Sequence, residues 1–507
     1  MKTESFVVIL GNQLFDPQIL NDRLGPDSPV HVFMREDAEL CTFYRFHKQK
    51  ITFFLAAMRT YAEELEQQQQ FKVHYQALQT EGAPQSYEQA LTIWLKSHQV
   101  PKVYMFEIED KFFERRLLSL FQSLEVECEI FESPMFLTSR TQFTQYLKKN
   151  KRPFMKTFYQ EQRARLGILI EKNGQPTGGR WSFDDENRKA LPTSIQPPPV
   201  PRAKTTPALM AVAALCEKMF SSHPGAAGPF WLPVDREGAR SWLEDFIDAR
   251  LASFGPYEDA IPAHSDFLFH SVLTPFLNTG LLTPGEVVER VLFKAKSKKI
   301  HIASVEGFIR QVIGWREFVR GIYQNFGAQQ AQTNFWNHKM RLSDVWYQGG
   351  TGIPPLDRAL ERVHQHGYLH HIERLMVVGS LMLLLEVDPK EGHRWFMEMF
   401  IDSSNWVMGP NVYGMALFSD GGIFATKPYI CGSNYYRKMG GDKKGDWCEG
   451  VDGLYWSFIQ KHQNFFLKNP RLSMMARSVQ KMDPHRLASI TAAADELRSR
   501  LVRNPAN

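Results

Sequence analysis

Two adjacent histidines, His370 and His371, stand in the segment YLHHIERL and are suited to proton transfer. Imidazole titrates near neutral pH, so a histidine beside a reaction centre can donate a proton. Neighbouring helical residues point about 100° apart, so the pair does not hold one metal ion from a single helix face. His366 and His370 have i,i+4 spacing that suits zinc, but Glu373 does not complete an HExxH motif. Taken alone, the pair is better explained as satisfied histidines in a core.

Residues 266–280, DFLFHSVLTPFLNTG, place hydroxyls and free backbone amides at the start of a predicted helix. Such a start favours an anion such as a phosphate, although an ordinary capped helix explains the same pattern. The segment VEGFIRQVIGWREF supplies Arg310, Trp315 and Arg316, which can pair with phosphate or stack on a ring. A salt-bridged core helix accounts for these three residues equally well.

Small polar residues interrupt an apolar, aromatic stretch at 392–415. Asp402, Asn405 and Asn411 need hydrogen-bond partners if buried, and the edge of a heterocycle is one candidate. Several tryptophans either fill the core or relay electrons, because indole is readily oxidised: Trp346, Trp395, Trp406 and Trp447.

The first 135 residues alternate between strand and helix patterns. The predicted strands are Phe6–Leu10, Val30–Met34, Phe71–Tyr75, Lys102–Phe106 and Val126–Phe131, and the helices are His47–Gln69, Ser86–His98 and Lys111–Leu124. This alternation predicts a parallel, doubly wound sheet. The first strand ends in GNQL, with neither a dinucleotide fingerprint nor a P-loop, so nicotinamide and ATP chemistry lose their best support.

Residues 136–235 form a predicted connector with a basic stretch, a GGRW loop and a proline-rich stretch, PTSIQPPPVPR. From 236 to 507 the pattern predicts an all-α domain. Its predicted helices are Ser241–Phe254, Pro284–Lys296, Val305–Phe326, Leu356–Val387, Pro389–Met399, Asp452–Asn469 and Pro484–Arg503. Such a bundle can bury a large ligand between its helices.

Composition and charge set broad limits on function. The chain has 507 residues, 43% hydrophobic and 23% charged, with a net charge of +5, which permits an anionic partner without requiring one. Its five cysteines are scattered with no CxxC spacing, which favours a reducing compartment over a disulfide framework. No leader layout or membrane-length apolar stretch appears, so we expect a cytoplasmic protein without a membrane partner.

In their combination and order, these motifs resemble the photolyase/cryptochrome superfamily. They are most similar to the bacterial group known for (6-4) photolyases and cryptochromes with an iron–sulfur cluster. The similarity covers nearly the whole chain, through VVILGNQL, GGRWSFD, FHSVLTPFLNTGLLTP, FIRQVIGWREFVRG, HHIERLM, HRWF, WVMGPNV, TKPY and LYWSF. The resemblance implies a Rossmann-like α/β antenna domain, a long linker and a helical domain that binds FAD.

The resemblance also assigns residues to sites. The FAD diphosphate is expected near Ser271, Leu273, Thr274 and Asn278, and the rest of FAD near Arg310, Trp315, Arg316, Arg374, Asp402 and Asn411. His371, next to His370, would face the lesion with Tyr429 beside it and Phe54 contributing from the first domain. Trp395 would begin the photoreduction chain, with either Trp346 or Tyr347 as its outer member.

The implied reaction is repair of UV-damaged DNA, with light-driven electron transfer from reduced FAD and, for a (6-4) lesion, proton transfer from a histidine. Basic residues are candidates for phosphate contacts, although solvated surface charge is the plainer explanation of any single patch. The candidates are Lys148, Lys149, Lys151, Arg152, Arg180 and the segment 294–299. No obligate protein partner is evident.

The sequence departs from the group at two cofactor sites. Relatives with a [4Fe–4S] cluster use four cysteines, but here one position falls near Pro355-Leu356 and only Cys448 matches a ligand, so we expect no cluster and no metal. Glu39 matches a carboxylate that contacts an antenna chromophore, 6,7-dimethyl-8-ribityllumazine, in relatives. Asn12 stands where an aspartate is common, so that site binds this chromophore weakly, binds another or stays empty.

Three hypotheses follow: a light-dependent repair enzyme of the (6-4) type, a cryptochrome that uses the same flavin pocket as a blue-light sensor, and a flavin-free DNA-binding protein. Retention of both His371 and Tyr429 favours repair over sensing. A flavin absorption band would exclude the third hypothesis.

Overall fold

A five-stranded parallel sheet organises the amino-terminal part of the protein. The computed structural model describes residues 4–26, 28–78 and 85–505. The strands are β1 (Ser5–Val8), β2 (Val30–Arg35), β3 (Phe71–Gln76), β4 (Lys102–Phe106) and β5 (Glu127–Phe131), in the order β3-β2-β1-β4-β5. All pairings are parallel, which confirms the predicted doubly wound sheet. The strand order reverses between β1 and β4, where ligands of such sheets bind.

Helices connect these strands and cover both faces of the sheet: Pro17–Leu24, Ala38–Thr42, Lys48–Glu66, Tyr87–Ser97 and Lys111–Ser123. The sequence patterns missed the first two, which have only eight and five residues and carry too few turns for a clear period. Ser86 and Gln89 form a capping box at the start of Tyr87–Ser97, which explains why this helix begins where the pattern predicts.

The predicted connector contains more helix than its composition suggests. It includes the helices Arg140–Lys149, Met155–Leu166 and Pro207–Met219, and short 3-10 turns at Thr177–Gly179 and Asp184–Glu186. Between its last helix and the carboxy-terminal region, Gly225 has φ +69°, and a β-carbon there would lie 2.0 Å from the His47 Nε2 atom. Only glycine allows the connector to pass this close to the first domain.

The carboxy-terminal region is helical, as predicted. Before residue 350 its helices are Arg236–Ala249, Leu251–Tyr257, Thr274–Thr279, Pro284–Ser297, Ile302–Ile309, Arg310–Arg316, Glu317–Gln332 and Val345–Gln348. Those that follow are Pro354–His366, Glu373–Gly379, Ser380–Leu384, Pro389–Met399, Asn405–Met408, Gly409–Ala416, Ser433–Gly440, Trp447–Lys461, Gln463–Lys468, Ser473–Gln480 and Pro484–Leu501. A two-stranded antiparallel ribbon, β6 (Arg341–Leu342) with β7 (Val502–Arg503), attaches the end of the chain.

The predicted helices Ser241–Phe254 and Asp452–Asn469 are each divided, at Arg250 and at His462, and the predicted helix Leu356–Val387 is wrong. The helix that contains its first part ends at His366, and Gly367 follows in the left-handed conformation at φ 61°. Residues 368–370 are non-helical, and a new helix begins at His371. The apolar period continues across the break because both helices bury one face in the same core, so the pattern alone conceals the interruption.

Three segments of the helical region are π-helical: Arg310–Arg316, Glu373–Gly379 and Gly409–Ala416. A π-helical turn widens the helix and leaves backbone groups less regularly paired, and it is frequent at functional sites. Each of the three carries residues that the resemblance assigns to the FAD site.

The apolar core is continuous across the segments of the chain. One large cluster joins a face of the sheet, the connector and the first helices of the carboxy-terminal region, and a second lies within the helical region. In the described ranges, no helix is both long and apolar enough to span a bilayer.

Candidate active site

A buried ion pair between Arg374 and Asp402 lies at the centre of the candidate site. The guanidinium donates two hydrogen bonds to the carboxylate, Nη1 to Oδ1 at 2.9 Å and Nη2 to Oδ2 at 3.1 Å. Its face covers the rings of Tyr368 and Phe400, at 4.8 and 4.0 Å from their centroids. Thr274, at the start of its helix, donates to Asp402 Oδ2 at 2.5 Å. This bidentate geometry holds a fixed charge pair inside the domain.

Asn278 links this pair to a second arginine. Its Nδ2 donates to the Asp402 carbonyl at 2.9 Å, and its Oδ1 accepts from Arg316 Nη1 at 2.5 Å. Arg316 lies over the rings of Phe136 and Trp406, which contact each other, at 5.0 and 4.8 Å from their centroids. Burial lowers the pKa of Arg316 to about 10, so it remains a cation at neutral pH.

Ser271 and Leu273 precede Thr274 in the same loop. The Ser271 carbonyl accepts from Trp242 Nε1 at 2.9 Å, and Leu273 is buried. Trp315 packs against Phe318 and Phe424, and the Asn411 side chain bonds to the Val407 carbonyl within its own helix. These contacts are internal to the protein, so whether the four residues also contact a cofactor stays a prediction.

Arg310 joins the connector to the helical region. Its Nη1 donates to Asp184 of the connector at 3.0 Å, and its guanidinium lies 3.3 Å from Glu306 and 3.8 Å from Glu258. The Arg310 side chain is 7% exposed, so these carboxylates compensate a nearly buried charge.

His371 lies beside these groups and faces open space. Its side chain is 47% exposed, and its Nε2 lies 3.9 Å from Glu258 Oε1. Asn187 and Gln311 hold the Glu258 carboxyl group through hydrogen bonds of 2.7 and 2.8 Å. The geometry therefore pairs an accessible imidazole with a buried, fixed carboxyl group.

Burial shifts the pKa values of these two groups in opposite directions. It lowers the pKa of His371 to about 4, with the nearby cations Arg310 and Arg374 acting in the same sense. It raises the pKa of Glu258 to about 8, because desolvation of its charged form exceeds the effect of Arg310. The imidazole borders a recess inside the domain, which reconciles its exposure with its desolvation. At neutral pH the pair carries its proton on Glu258.

His370 has a different environment. It is buried and stacks on His270 with centroids 4.3 Å apart and an interplanar angle of 8°. Burial and the neighbouring histidines keep its pKa well below the ordinary value. His370 lies just before the helix that begins at His371, so the two histidines are not successive residues of one helix. A neutral, stacked ring positions the segment that presents His371.

Tyr429 lies in a loop near the same opening. Burial raises its pKa, and the charges of Asp184, Arg188 and Asp259 act on it. Asp184 also acts on the pKa of His371. Tyr429 and His371 therefore both lie close enough to Asp184 of the connector for its charge to act on them.

A row of aromatic rings leads outward from the Arg374–Asp402 pair. Phe400 lies beneath Arg374, Trp395 packs on Phe400 at 5.8 Å, and the rings of Trp346 and Trp395 are 6.1 Å apart. Both tryptophans are fully buried. Tyr347 follows Trp346 in sequence and is partly exposed. Its hydroxyl group donates a hydrogen bond to the carboxylate of the buried Glu398 at 2.7 Å. Trp346 and Trp395 are therefore interior members of the row, and the choice between Trp346 and Tyr347 as the outer member of an electron-transfer chain stays a prediction.

A cavity of about 300 Å³ lies where the carboxyl ends of β1 and β4 meet the helical region, and Asn278 and Asp402 of the site above form part of its wall. Its lining includes Gly11 and Asn12 after β1 and Asp110 after β4. Phe54 lines this cavity too, together with Lys50, whose Nζ donates to Ser403 at 2.8 Å. Burial lowers the pKa of Lys50 to about 7.

Glu39 is not part of the cavity wall. It is a surface residue that pairs with Arg116 at 3.0 Å, and Arg116 itself lines the cavity. The carboxylates in the wall are instead Glu36, Asp37, Asp110 and Asp402. Glu39 belongs to the short helix Ala38–Thr42. The residue that caps this helix, Asp37, lines the cavity, whereas Glu39 does not.

The predicted basic residues divide into free and paired groups. Lys148, Lys149, Lys151 and Arg152 are exposed, and among the described residues none has an ion-pair partner. Arg180 pairs with Asp185 and with Glu186, and Lys294 and Lys298 pair with acids of a neighbouring helix. The first group, together with the exposed Lys296 and Lys299, is available for phosphates without breaking an ion pair among the described residues.

Sequence reasoning missed several residues of the site, namely Asp184, Asn187, Arg188, Glu258, Asp259 and Gln311. No motif marks Glu258 or Gln311. The acidic run beside the GGRW loop is the one sequence feature that points to Asp184.

Comparisons with known proteins identify the family of the chain. Residues 7–232 match the family described as deoxyribodipyrimidine photo-lyase-related protein, and residues 308–447 match the FAD binding domain of DNA photolyase. A relative from Agrobacterium fabrum named (6-4) photolyase is 31% identical, with 92% of this chain and 94% of the relative covered. The chain belongs to the photolyase/cryptochrome superfamily.

Solved structures of the superfamily share the fold. A class III photolyase from Agrobacterium tumefaciens superposes with a TM-score of 0.59 at 18% identity and covers 98% of each chain. A cryptochrome from Synechocystis superposes with a TM-score of 0.57 at 15% identity and covers 99% of each chain. The photolyase FAD-binding match contains all three π-helical segments described above.

The residues present fit FAD. Arg316 Nε and Arg310 Nη2 are buried N–H groups with no hydrogen-bond partner among the described residues. Buried donors of this kind are expected to be satisfied, and the oxygens of a flavin nucleotide are suitable acceptors. The Arg374–Asp402 pair offers both a donor and an acceptor face beside them.

The cysteines give no sign of a cluster site. Cys431 and Cys448 are both buried and free, and Cys431 Sγ donates to the Met376 carbonyl at 3.4 Å. Among residues 4–26, 28–78 and 85–505, no three His, Cys, Asp or Glu side chains are arranged to hold a metal ion.

Proposed function

We propose that this protein is a photolyase that repairs UV-damaged DNA in a light-driven, FAD-dependent reaction, and that its lesion is the (6-4) pyrimidine photoproduct. The name and coverage of the Agrobacterium relative support the reaction class. The observation that carries the lesion type is the His371–Glu258 pair, since the (6-4) reaction needs a proton as well as an electron.

The chain's own residues have distinct tasks in this proposal. Bound FAD, when reduced and excited by light, supplies the electron. Arg374 and Asp402 orient the flavin ring, and Arg316, Asn278 and Thr274 fix the polar groups around it. His371 accepts at Nε2 the proton that Glu258 holds and donates the proton of its Nδ1 to the lesion. Tyr429 lies beside His371 at the lesion.

DNA binding rests on surface charge. Lys148, Lys149, Lys151 and Arg152 form a basic patch at the end of helix Arg140–Lys149, and their free cations suit phosphate contacts. Arg180 contributes only if DNA replaces its acidic partners.

Two further cofactor proposals concern the antenna and the cluster. We propose that the cavity at the ends of β1 and β4 holds a second chromophore such as 6,7-dimethyl-8-ribityllumazine, because polar groups and aromatic rings share its wall. We propose that no [4Fe–4S] cluster is present, because only Cys448 matches a ligand. Chromophore extraction tests the first statement, and an iron and sulfide assay of the purified protein tests the second.

The domain boundaries expected at residues 135 and 235 also stay predictions.

Irradiation of the pre-reduced holoprotein with an oligonucleotide that carries one (6-4) photoproduct tests the function. We expect light-dependent restoration of the two pyrimidines, detected by chromatography. A parallel oligonucleotide with a cyclobutane dimer tests lesion choice. Failure to restore either lesion, with FAD fully loaded, would leave the cryptochrome hypothesis.

A further inference from the structure

A second, strongly polar cavity of about 520 Å³ lies on the seam between the first domain, the connector and the helical region. Its volume is in the range of small-molecule sites. Its wall includes Arg45 from the first domain, Ser222–Gly225 from the connector, and Arg394 from helix Pro389–Met399. Every large segment of the protein therefore contributes to it.

Four arginines converge on this cavity: Arg45, Arg341, Arg394 and Arg503. The carboxylates in its wall are Asp344 and Glu391, which pair with Arg503 at 2.6 Å and with Arg394 at 2.7 Å. Arg45 is 51% exposed and lies 3.7 Å from Glu398, behind the wall. In the described part of the chain, no carboxylate lies within ion-pair distance of Arg341. The wall therefore carries more positive than negative charge.

The backbone places two of these arginines opposite each other. Arg341 of β6 and Arg503 of β7 are cross-strand partners in an antiparallel ribbon of only two residue pairs. Like charges at directly opposed positions destabilise such a pair, and so short a ribbon has little backbone pairing to offset the repulsion. Asp344 offsets part of this repulsion through its ion pair with Arg503, and an anion between the two guanidinium groups would remove the rest.

We propose that this cavity binds a small phosphorylated anion of about nucleotide size. Guanidinium groups match phosphate oxygens through paired N–H donors, and four of them around one cavity suit two or more linked phosphates. The ligand would join Arg45 of the first domain to β6, β7 and helix Pro389–Met399. It would therefore stabilise the attachment of the chain's end and the seam between domains.

The proposal is independent of light, lesion and electron transfer, so dark binding experiments on the FAD-loaded protein test it. The probes are inorganic pyrophosphate and ADP, measured by isothermal titration calorimetry and by the shift in Tm. We expect saturable binding and a raised Tm. In R341Q/R394Q the affinity should fall at least about tenfold, because each missing arginine removes charge-assisted hydrogen bonds.

The matched control is R477Q, an exposed arginine of helix Ser473–Gln480 outside the cavity, which should bind like the unaltered chain. Tighter binding of ADP than of pyrophosphate would place the nucleoside in the cavity as well, whereas equal binding would restrict recognition to the phosphates. Equal affinities in R341Q/R394Q and the unaltered protein would overturn the proposal. So would a lack of saturation at millimolar probe, or displacement of the probe by undamaged duplex DNA.

Discussion

His371 Nε2 lies 3.9 Å from Glu258 Oε1, and the two groups are shifted so that the carboxylic acid holds the proton at neutral pH. The accessible imidazole thus has a buried acid behind it, fixed by Asn187 and Gln311. In the proposed reaction, His371 touches the lesion and Glu258 stores the proton, so the two tasks fall to different groups. Two titratable groups whose environments move their pKa values apart are a common basis of acid–base catalysis.

The first prediction concerns the pH dependence of repair. The pair loses its proton as the pH rises through about 8, so the repair rate of the pre-reduced protein should fall there. In E258Q the pair's remaining titratable group is His371, with a pKa of about 4, so repair at pH 7 should drop and rise again toward acid pH. Single-turnover repair from pH 5 to 9 measures this. E449Q, at an exposed position outside the site, is the control; an unchanged profile in E258Q would remove Glu258 from the proton path.

The second prediction is that H371A loses (6-4) repair and keeps its FAD. Loss of a general acid typically lowers a rate by about 10²- to 10⁴-fold. The His371 side chain is half exposed in the recess, so its removal should leave the fold intact. Flavin absorbance and repair yield are measured on the same sample. Repair at the normal rate in H371A would refute its role as proton donor.

The third prediction concerns recharging of the flavin. Trp395 lies between Phe400 and Trp346 in the aromatic row, so W395F should slow photoreduction of oxidised FAD. Repair by chemically pre-reduced protein should be unchanged, because the row only supplies the reducing electron. W447F, in a different part of the core, is the matched control. If W395F photoreduces at the normal rate, electrons take another path.

The fourth prediction addresses the Arg374–Asp402 pair. D402N leaves a nearly buried arginine without its bidentate partner, which costs about 3–5 kcal/mol of unfolding free energy. We expect a lower denaturant midpoint and loss of bound FAD. An apolar double variant, R374M/D402L, should recover stability without recovering FAD. Full flavin occupancy in that double variant would show that the pair serves the fold alone.

The fifth prediction concerns DNA. Replacement of Lys148, Lys149, Lys151 and Arg152 by glutamine should weaken binding at low salt and reduce the slope of log K against log salt. The slope should fall by about one for each phosphate that the altered side chains no longer neutralise. K294Q/K298Q is the control, because those lysines already pair with Glu244 and Asp248. Equal slopes in both variants would place the DNA contacts elsewhere.

The fold class and the family could be predicted from the amino-acid sequence. Short β-branched strands alternate with helices in the first part, and the central strands β1 and β2 are almost continuously apolar because they are buried on both faces. The ordered motifs also identified His371, Arg374, Asp402 and Trp395 as candidates, since each stands in a distinctive local pattern.

Which residues act together depends instead on how distant segments pack. The break at Gly367, which presents His371, is invisible in a continuous apolar period, because both flanking helices face one core. Glu258, Asn187 and Gln311 carry no motif and are far apart in sequence, so only packing brings them to one carboxyl group. The sequence also leaves open whether Arg180 is free, because that depends on which acids its side chain reaches. It leaves open whether Glu39 lines a cavity, because that depends on the direction of the side chain. Local patterns determine the elements, whereas burial and distant charges determine the chemistry of the site.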